Sequence, residues 1–173
     1  MKKRMRKGLI GWMIVSLILS SCNSQSKSEP TKLESSHSDL SYGEATNQGY
    51  VVAGPAGLAN VAKLEAFFED YRSKRKSSVM IVRYTDEGDP IYVDLDFDGE
   101  NIEYTYDNSW DGFGGQDKGV RKTSCKEMGQ RIGPRGDMTG TEYYLSSCED
   151  NIGYSDVEKK EYFILFVSSD AET

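Results

Sequence analysis

The stretch from Arg83 to Gly115, RYTDEGDPIYVDLDFDGENIEYTYDNSWDGFGG, constrains the fold of this chain more than any other. Ile91, Val93, Leu95 and Phe97 alternate with Tyr92, Asp94 and Asp96; after Asp98-Gly99, Ile102, Tyr104 and Tyr106 alternate with Glu103, Thr105 and Asp107. A period of two sends successive side chains to opposite faces of a strand, and Asp-Gly between two such runs is a hairpin signal. The expectation is a pair of antiparallel strands with one packed face and one acidic face. A Gly-rich loop, 108–119, then closes the run with four glycines, Trp110 and Phe113, more aromatic character than a simple connector needs.

The neighbouring segments extend this unit into one domain, expected over 49–173. Tyr50, Val51 and Val52 suggest a leading strand broken by Gly54-Pro55 and Gly57. Asn60 is the expected N-cap of a helix carrying Val61, Leu64, Phe67, Phe68 and Tyr71 at helical spacing. Arg72, Lys74, Arg75 and Lys76 follow at its C-terminal end, where positive charge complements the helix dipole. From Val79 to Tyr84 the chain is largely apolar on both faces, as in a central strand, and further strands are expected over 120–126, 141–148 and 162–167. The fold class is α+β: one helix packed on a curled antiparallel sheet of five to seven strands, with a cystatin-like order of strand, helix and meander.

Upstream, five basic residues, Lys2, Lys3, Arg4, Arg6 and Lys7, precede an apolar run from Gly8 to Leu19, short for a membrane span and suited to an export signal. The run ends Leu19-Ser20-Ser21-Cys22, which resembles the lipobox of bacterial lipoproteins. The resemblance implies a signal peptide over 1–21, cleavage after Ser21, a diacylglyceryl group and palmitate-type acylation at Cys22, and anchoring to the extracytoplasmic face of the cell membrane. Two acyl chains suffice for stable anchoring where one is marginal. From 22 to 48 the sequence is rich in Ser and polar residues, and a disordered tether is expected. Removal of the five basic residues takes the formal charge from −7 to −12, a surface that disfavours nucleic acid.

Cys125 and Cys148 then remain in an exported domain, without CxxC spacing, and a structural disulfide is the natural pairing. The whole pattern, an NxxxLxxF helix from Asn60, then YTDEGDPI, DLDFDG and IEYTYDNSWDGFG, with one Cys in the next strand and a second after a Tyr-rich strand, resembles a family of small Gram-positive lipoproteins defined as a domain of unknown function. The EGDPI and YTYDN segments carry most of the likeness, which spans Tyr50 to Val167. It implies a cell-surface lipoprotein and supplies no activity.

Candidate chemistry is narrow. Asp94-x-Asp96-x-Asp98-Gly99 matches the first half of an EF-hand loop, but Thr105 stands where the bidentate Glu belongs, and a hairpin with an acidic face is the preferred reading over a calcium site. Glu87, Asp89, Asp107 and Asp111 supply carboxylates for glycoside hydrolysis, or arise by chance in a chain with 28 acidic residues. His37, the only histidine, falls in the expected tether, which leaves the folded part without a Ser-His-Asp or Cys-His centre. Phosphate-loop motifs are absent from WDGFGGQDKG, and Arg135-Gly136-Asp137 reads as turn chemistry. No cofactor is implied. Asp107, Asn108, Trp110, Asp111 and Phe113 are the candidate binding residues, displayed for an unknown protein, peptide or carbohydrate ligand. The expected function is a non-enzymatic binding module, with a carboxylate-dependent hydrolase of cell-wall polymer as the alternative.

Overall fold

The computed structural model describes residues 34–169. The elements are α1 (Tyr42–Asn47), β1 (Val51–Gly54), β2 (Gly57–Ala59), α2 (Ala62–Arg72), β3 (Ser77–Tyr84), β4 (Pro90–Phe97), β5 (Ile102–Asp107), β6 (Val120–Arg135), β7 (Met138–Cys148) and β8 (Tyr162–Ser168), with a short 3-10 turn at Gly115–Asp117. The strands make one eight-stranded sheet in the order β2-β1-β3-β4-β5-β6-β7-β8, curled and mostly antiparallel, with α2 as its main helix. The expected five to seven strands are therefore too few. The added strand is β2, which folds back on β1 where Gly57 takes a φ of 108°. One pair, β1 with β3, is parallel, because α2 lies between them in the chain and supplies the crossover a parallel pair requires.

Alternation decides which side chains enter the core. Leu64 and Phe67 of α2 pack with Ile81, Val93, Leu95, Phe97, Ile102 and Leu145 on one face. Val82 and Tyr92, offset by one residue, point to the other face and join Val52 and Ala45 in a second, smaller cluster flanked by Leu40, Tyr42, Tyr50 and Tyr84. This second cluster is why β3 is apolar on both faces. It also corrects the expected tether over 22–48. From residue 34 onward the chain is packed on the sheet, and α1 carries a capping box in which Ser41 and Glu44 satisfy each other's backbone amides. The segment's few apolar groups fall on one side of a short strap and find a sheet face already lined by Val52, Val82 and Tyr92. The signal peptide of 1–21, Cys22 and the tether as far as 33 lie outside the described residues.

The N-cap is a second correction. Asn60 adopts a φ of 57° and precedes Val61, the residue that caps α2 without a side-chain hydrogen bond. Asn60 instead donates its amide to the carbonyls of Thr46 and Tyr50, at 3.0 and 2.7 Å, tying the end of α1 to the start of β1. At the other end of α2, Arg72 pairs with Glu69, Arg75 with Asp70, and Lys74 sits over the rings of Tyr71 and Phe97.

Cys125 and Cys148 stand directly opposite on β6 and β7 and form a disulfide with Cα atoms 3.9 Å apart. Further out, Gly140 lies so close to the backbone of β8 that a Cβ there would strike the Val167 carbonyl and Ser168 Cα. Arg135-Gly136-Asp137 forms the tip of the β6–β7 hairpin, with Gly136 at a φ of 60°.

Candidate functional site

Tyr92 and Asp94 of β4 face the strap from one strand, and Thr105 and Asp107 face it from the next, in register as Tyr92 with Asp107 and Asp94 with Thr105. Into this slot the strap places His37. Its imidazole stacks on the Tyr92 ring at 4.1 Å between centroids and 3° between planes. Nδ1 is 3.1 Å from Asp107 Oδ2, and Nε2 is 3.2 Å from Asp94 Oδ2. A carboxylate only accepts, so an imidazole that satisfies both must carry a proton on each nitrogen. His37 is thus held as a cation between two anions.

Asp107 is fully buried. Besides His37 it accepts from the Ser35 hydroxyl on Oδ2 and from the Ser109 amide on Oδ1. Trp110 donates its indole N–H to the His37 carbonyl at 3.1 Å, and the phenols of Tyr92 and Tyr84 donate to the carbonyls of Ser38 and Leu40. The strap is fastened at four of its residues, Ser35, His37, Ser38 and Leu40, by groups from β3, β4, β5 and the loop that follows.

Burial works against a charged His37, but the hydrogen bonds and charges of Asp94 and Asp107 outweigh it, so its pKa is raised above the ordinary 6.5. For Asp107 burial opposes ionisation, while the hydrogen bonds from Ser109, Ser35 and His37 prevail and lower its pKa below 3.8. The sign of the linkage follows. The histidine contribution is complete below pH 6.5 and fades as pH rises through the raised folded value; the aspartate contribution is complete above pH 3.8 and fades below the lowered one. Strap docking is therefore expected to be tightest between these two values and to loosen on the alkaline side. Trp110 fluorescence followed from pH 5 to 9 checks it; a titration identical in His37→Phe would show that His37 is not the titrating group.

The candidate binding residues are therefore largely engaged within the fold. Asp107 and Trp110 hold the strap. Asn108 accepts from the Gly119 amide at 2.9 Å and closes the loop, and Asp111 accepts from the Phe113 amide at 2.8 Å. Asp89 accepts from Gly112 at 2.7 Å. Of the five, Phe113 is the most displayed at 79% exposed, and Trp110 is 39% exposed with its indole N–H engaged. Asp94 and Asp96 sit along β4, and Asp98 caps the following turn by accepting from the Glu100 and Asn101 amides, each at 2.8 Å. Among the described residues no group of three or more His, Cys, Asp or Glu is placed to hold a metal ion. The placing of His37 outside the folded part is corrected too.

A second region was missed by sequence reasoning. A cleft of about 460 Å³ opens on the β6–β7–β8 side, floored by Tyr144 and Phe163 and bordered by Arg131, Arg135, Glu142 and Lys159. Arg131 bonds to Glu161 at 2.7 Å and to Glu142, with its guanidinium 4.5 Å from the Tyr144 ring centroid. Arg135 lies 4.1 Å from the Phe163 ring centroid. The signal was present in the hairpin: counting back from the Gly136-Asp137 tip pairs Arg131 with Glu142.

The model of a family described as a domain of unknown function (DUF4362) matches residues 48–135, just over half of the 173-residue chain. No curated protein and no solved structure was found to match.

Proposed function

The chain belongs to this DUF4362 family, whose description carries no activity, and from that premise we propose a non-enzymatic, lipid-anchored binding module of the extracytoplasmic membrane face. The observation that carries the non-enzymatic reading is the use made of His37. A hydrolytic serine centre needs a histidine lone pair aimed at the hydroxyl. Here Ser35 and His37 Nδ1 both turn to one oxygen of Asp107, and His37 Nε2 turns to Asp94. Of the carboxylates considered for wall hydrolysis, Asp107 is held by the strap, and Asp89 and Asp111 accept from loop amides.

The anchoring part rests on Leu19-Ser20-Ser21-Cys22 and the basic-then-apolar run before it. For the ligand, the cleft over Tyr144 and Phe163 offers aromatic faces beside both signs of charge, the surface that peptide and carbohydrate ligands use. Labelling of expressing cells with a palmitate analogue is expected to mark the wild-type chain and not Cys22→Ala. Incubation of the chain with purified cell-wall polymer is expected to retain protein without releasing soluble fragments, and Tyr144→Ala is expected to lose that retention. Accumulating fragments would overturn the non-enzymatic reading.

A further inference from the structure

The core face of the sheet ends in two arginines. Arg83 follows Val79 and Ile81 along β3, and Arg121, opposite Tyr106 on the neighbouring strand, precedes Thr123 and Cys125 along β6. Both guanidinium groups stand over the ring of Tyr106, with Cζ at 5.9 Å from its centroid for Arg83 and 4.7 Å for Arg121. Between them lies a cavity of about 150 Å³, whose wall includes Tyr104, Gly153 and Ser155. Gly153 and Ser155 are exposed, so the cavity opens to solvent on their side.

What distinguishes this pair among the described arginines is the absence of a counter-charge. Arg72, Arg75, Lys122, Arg131, Arg135 and Lys159 each pair with a carboxylate. Neither Arg83 nor Arg121 has an ion pair among the described residues, although the chain carries a net charge of −7. Each gives one N–H to a carbonyl: Arg83 to Phe163 at 3.3 Å, Arg121 to Ile152 at 3.0 Å. Arg121 Nε is buried with no hydrogen-bond partner. Among the described residues no carboxylate lines the cavity. Two half-buried cations that share one ring repel each other, and a buried donor left unmade is costly.

We propose that the cavity between Arg83 and Arg121 binds a small oxyanion, specifically phosphate or the headgroup of a phosphate monoester. A doubly charged tetrahedral anion neutralises both guanidinium groups at once and offers acceptors to each planar fork, the geometry in which arginine excels over lysine. The volume corresponds to about five waters, room for one phosphate and little more, so a larger molecule enters by its headgroup and projects past Gly153 and Ser155. Both cations lie against the Tyr106 ring and line the cavity with it. This site is separate in its chemistry from the cleft over Tyr144 and does not rest on the function proposed above.

The test is titration of the full chain with inorganic phosphate, glycerol 3-phosphate and acetate, read by calorimetry and by the arginine Nε–H resonances. Saturable binding of phosphate is expected to shift the Arg83 and Arg121 signals and leave that of Arg72 in place. Arg121→Gln and Arg83→Gln are each expected to weaken binding roughly tenfold or more, as loss of a charge-assisted hydrogen bond implies, and Arg72→Gln to leave it unchanged. Tighter binding of glycerol 3-phosphate supports the monoester as ligand; equal or weaker binding supports free phosphate. Absence of saturable phosphate binding at millimolar concentration, equal binding of acetate, or shifts outside Arg83 and Arg121 in the wild-type chain would overturn the proposal. The wild-type resonances decide the matter even where a substitution unfolds the chain.

Discussion

Asp107→Ala is expected to release the strap from the sheet and to lower stability by about 3 to 5 kcal/mol, the range for breaking a buried charge pair by removing one partner. Asp107 is wholly buried and serves three donors at once, Ser35, His37 and Ser109. Its loss leaves His37 beside Asp94 alone, with a ring nitrogen unsatisfied, and leaves the Ser109 amide without its acceptor. The measurements are urea denaturation and limited proteolysis. Cleavage between residues 34 and 48 should appear in the variant under conditions that spare the wild type. Asp107→Asn should fall between the two, because it keeps an oxygen for Ser109 and loses the charge that holds the imidazolium. Asp96→Ala, at an exposed position two residues from Asp94 on the same strand, should change stability by no more than about 0.5 kcal/mol. An Asp107→Ala curve that overlays the wild type would remove the strap from any account of this fold.

The second large effect concerns the disulfide. Replacing both Cys125 and Cys148 by Ala is expected to cost about 3 kcal/mol, the loop-closure contribution of a bridge spanning 23 residues. The domain should stay folded at room temperature, since Glu127 to Arg135 of β6 remains paired with Met138 to Ser146 of β7. Cys125 is also fully buried among the core residues, so serine in its place should cost more than alanine by burying an unpaired hydroxyl. Midpoints of thermal unfolding with and without reductant provide the check. A midpoint insensitive to reduction, with the thiols shown to be free, would mean that the hairpin ladder alone supplies the constraint.

These two results would probe different kinds of information. The β4–β5 hairpin and the stripe of α2 were readable in the chain because each is a local pattern, a period of two with an Asp-Gly turn or Leu64, Phe67 and Phe68 at helical spacing, and the disulfide because two cysteines remain once Cys22 is set aside. The strap was not readable. Ser35 and His37 sit in a polar run that looks unable to fold, and their partner Asp107 lies 72 and 70 residues away. Polar composition reports how much apolar surface a segment can bury, not whether a preformed slot elsewhere satisfies its hydrogen bonds. Asn60 misled for a similar reason, since its side chain serves Thr46 and Tyr50 and not the helix that follows it.

The loop from 108 to 119 shows the division most clearly. Its glycines and aromatic residues marked it as unusual, and the inference that these groups await a ligand followed from their being unnecessary to a hairpin. Trp110 and Asn108 also make bonds within the tertiary structure, one to the His37 carbonyl and the other to the Gly119 amide. Conversely, Arg83 and Arg121 are single cations in strands, a pattern that carries no local signal of a site. Sequence by itself determined the alternation that makes the sheet, the stripe that makes the helix and the spacing that allows the disulfide, because those depend on neighbours along the chain. Only the tertiary structure decided which carboxylates are used inside the fold and which two of the described arginines lack a counter-charge. Charge compensation acts through space between strands, and its outcome is set by curl and register that no local pattern encodes.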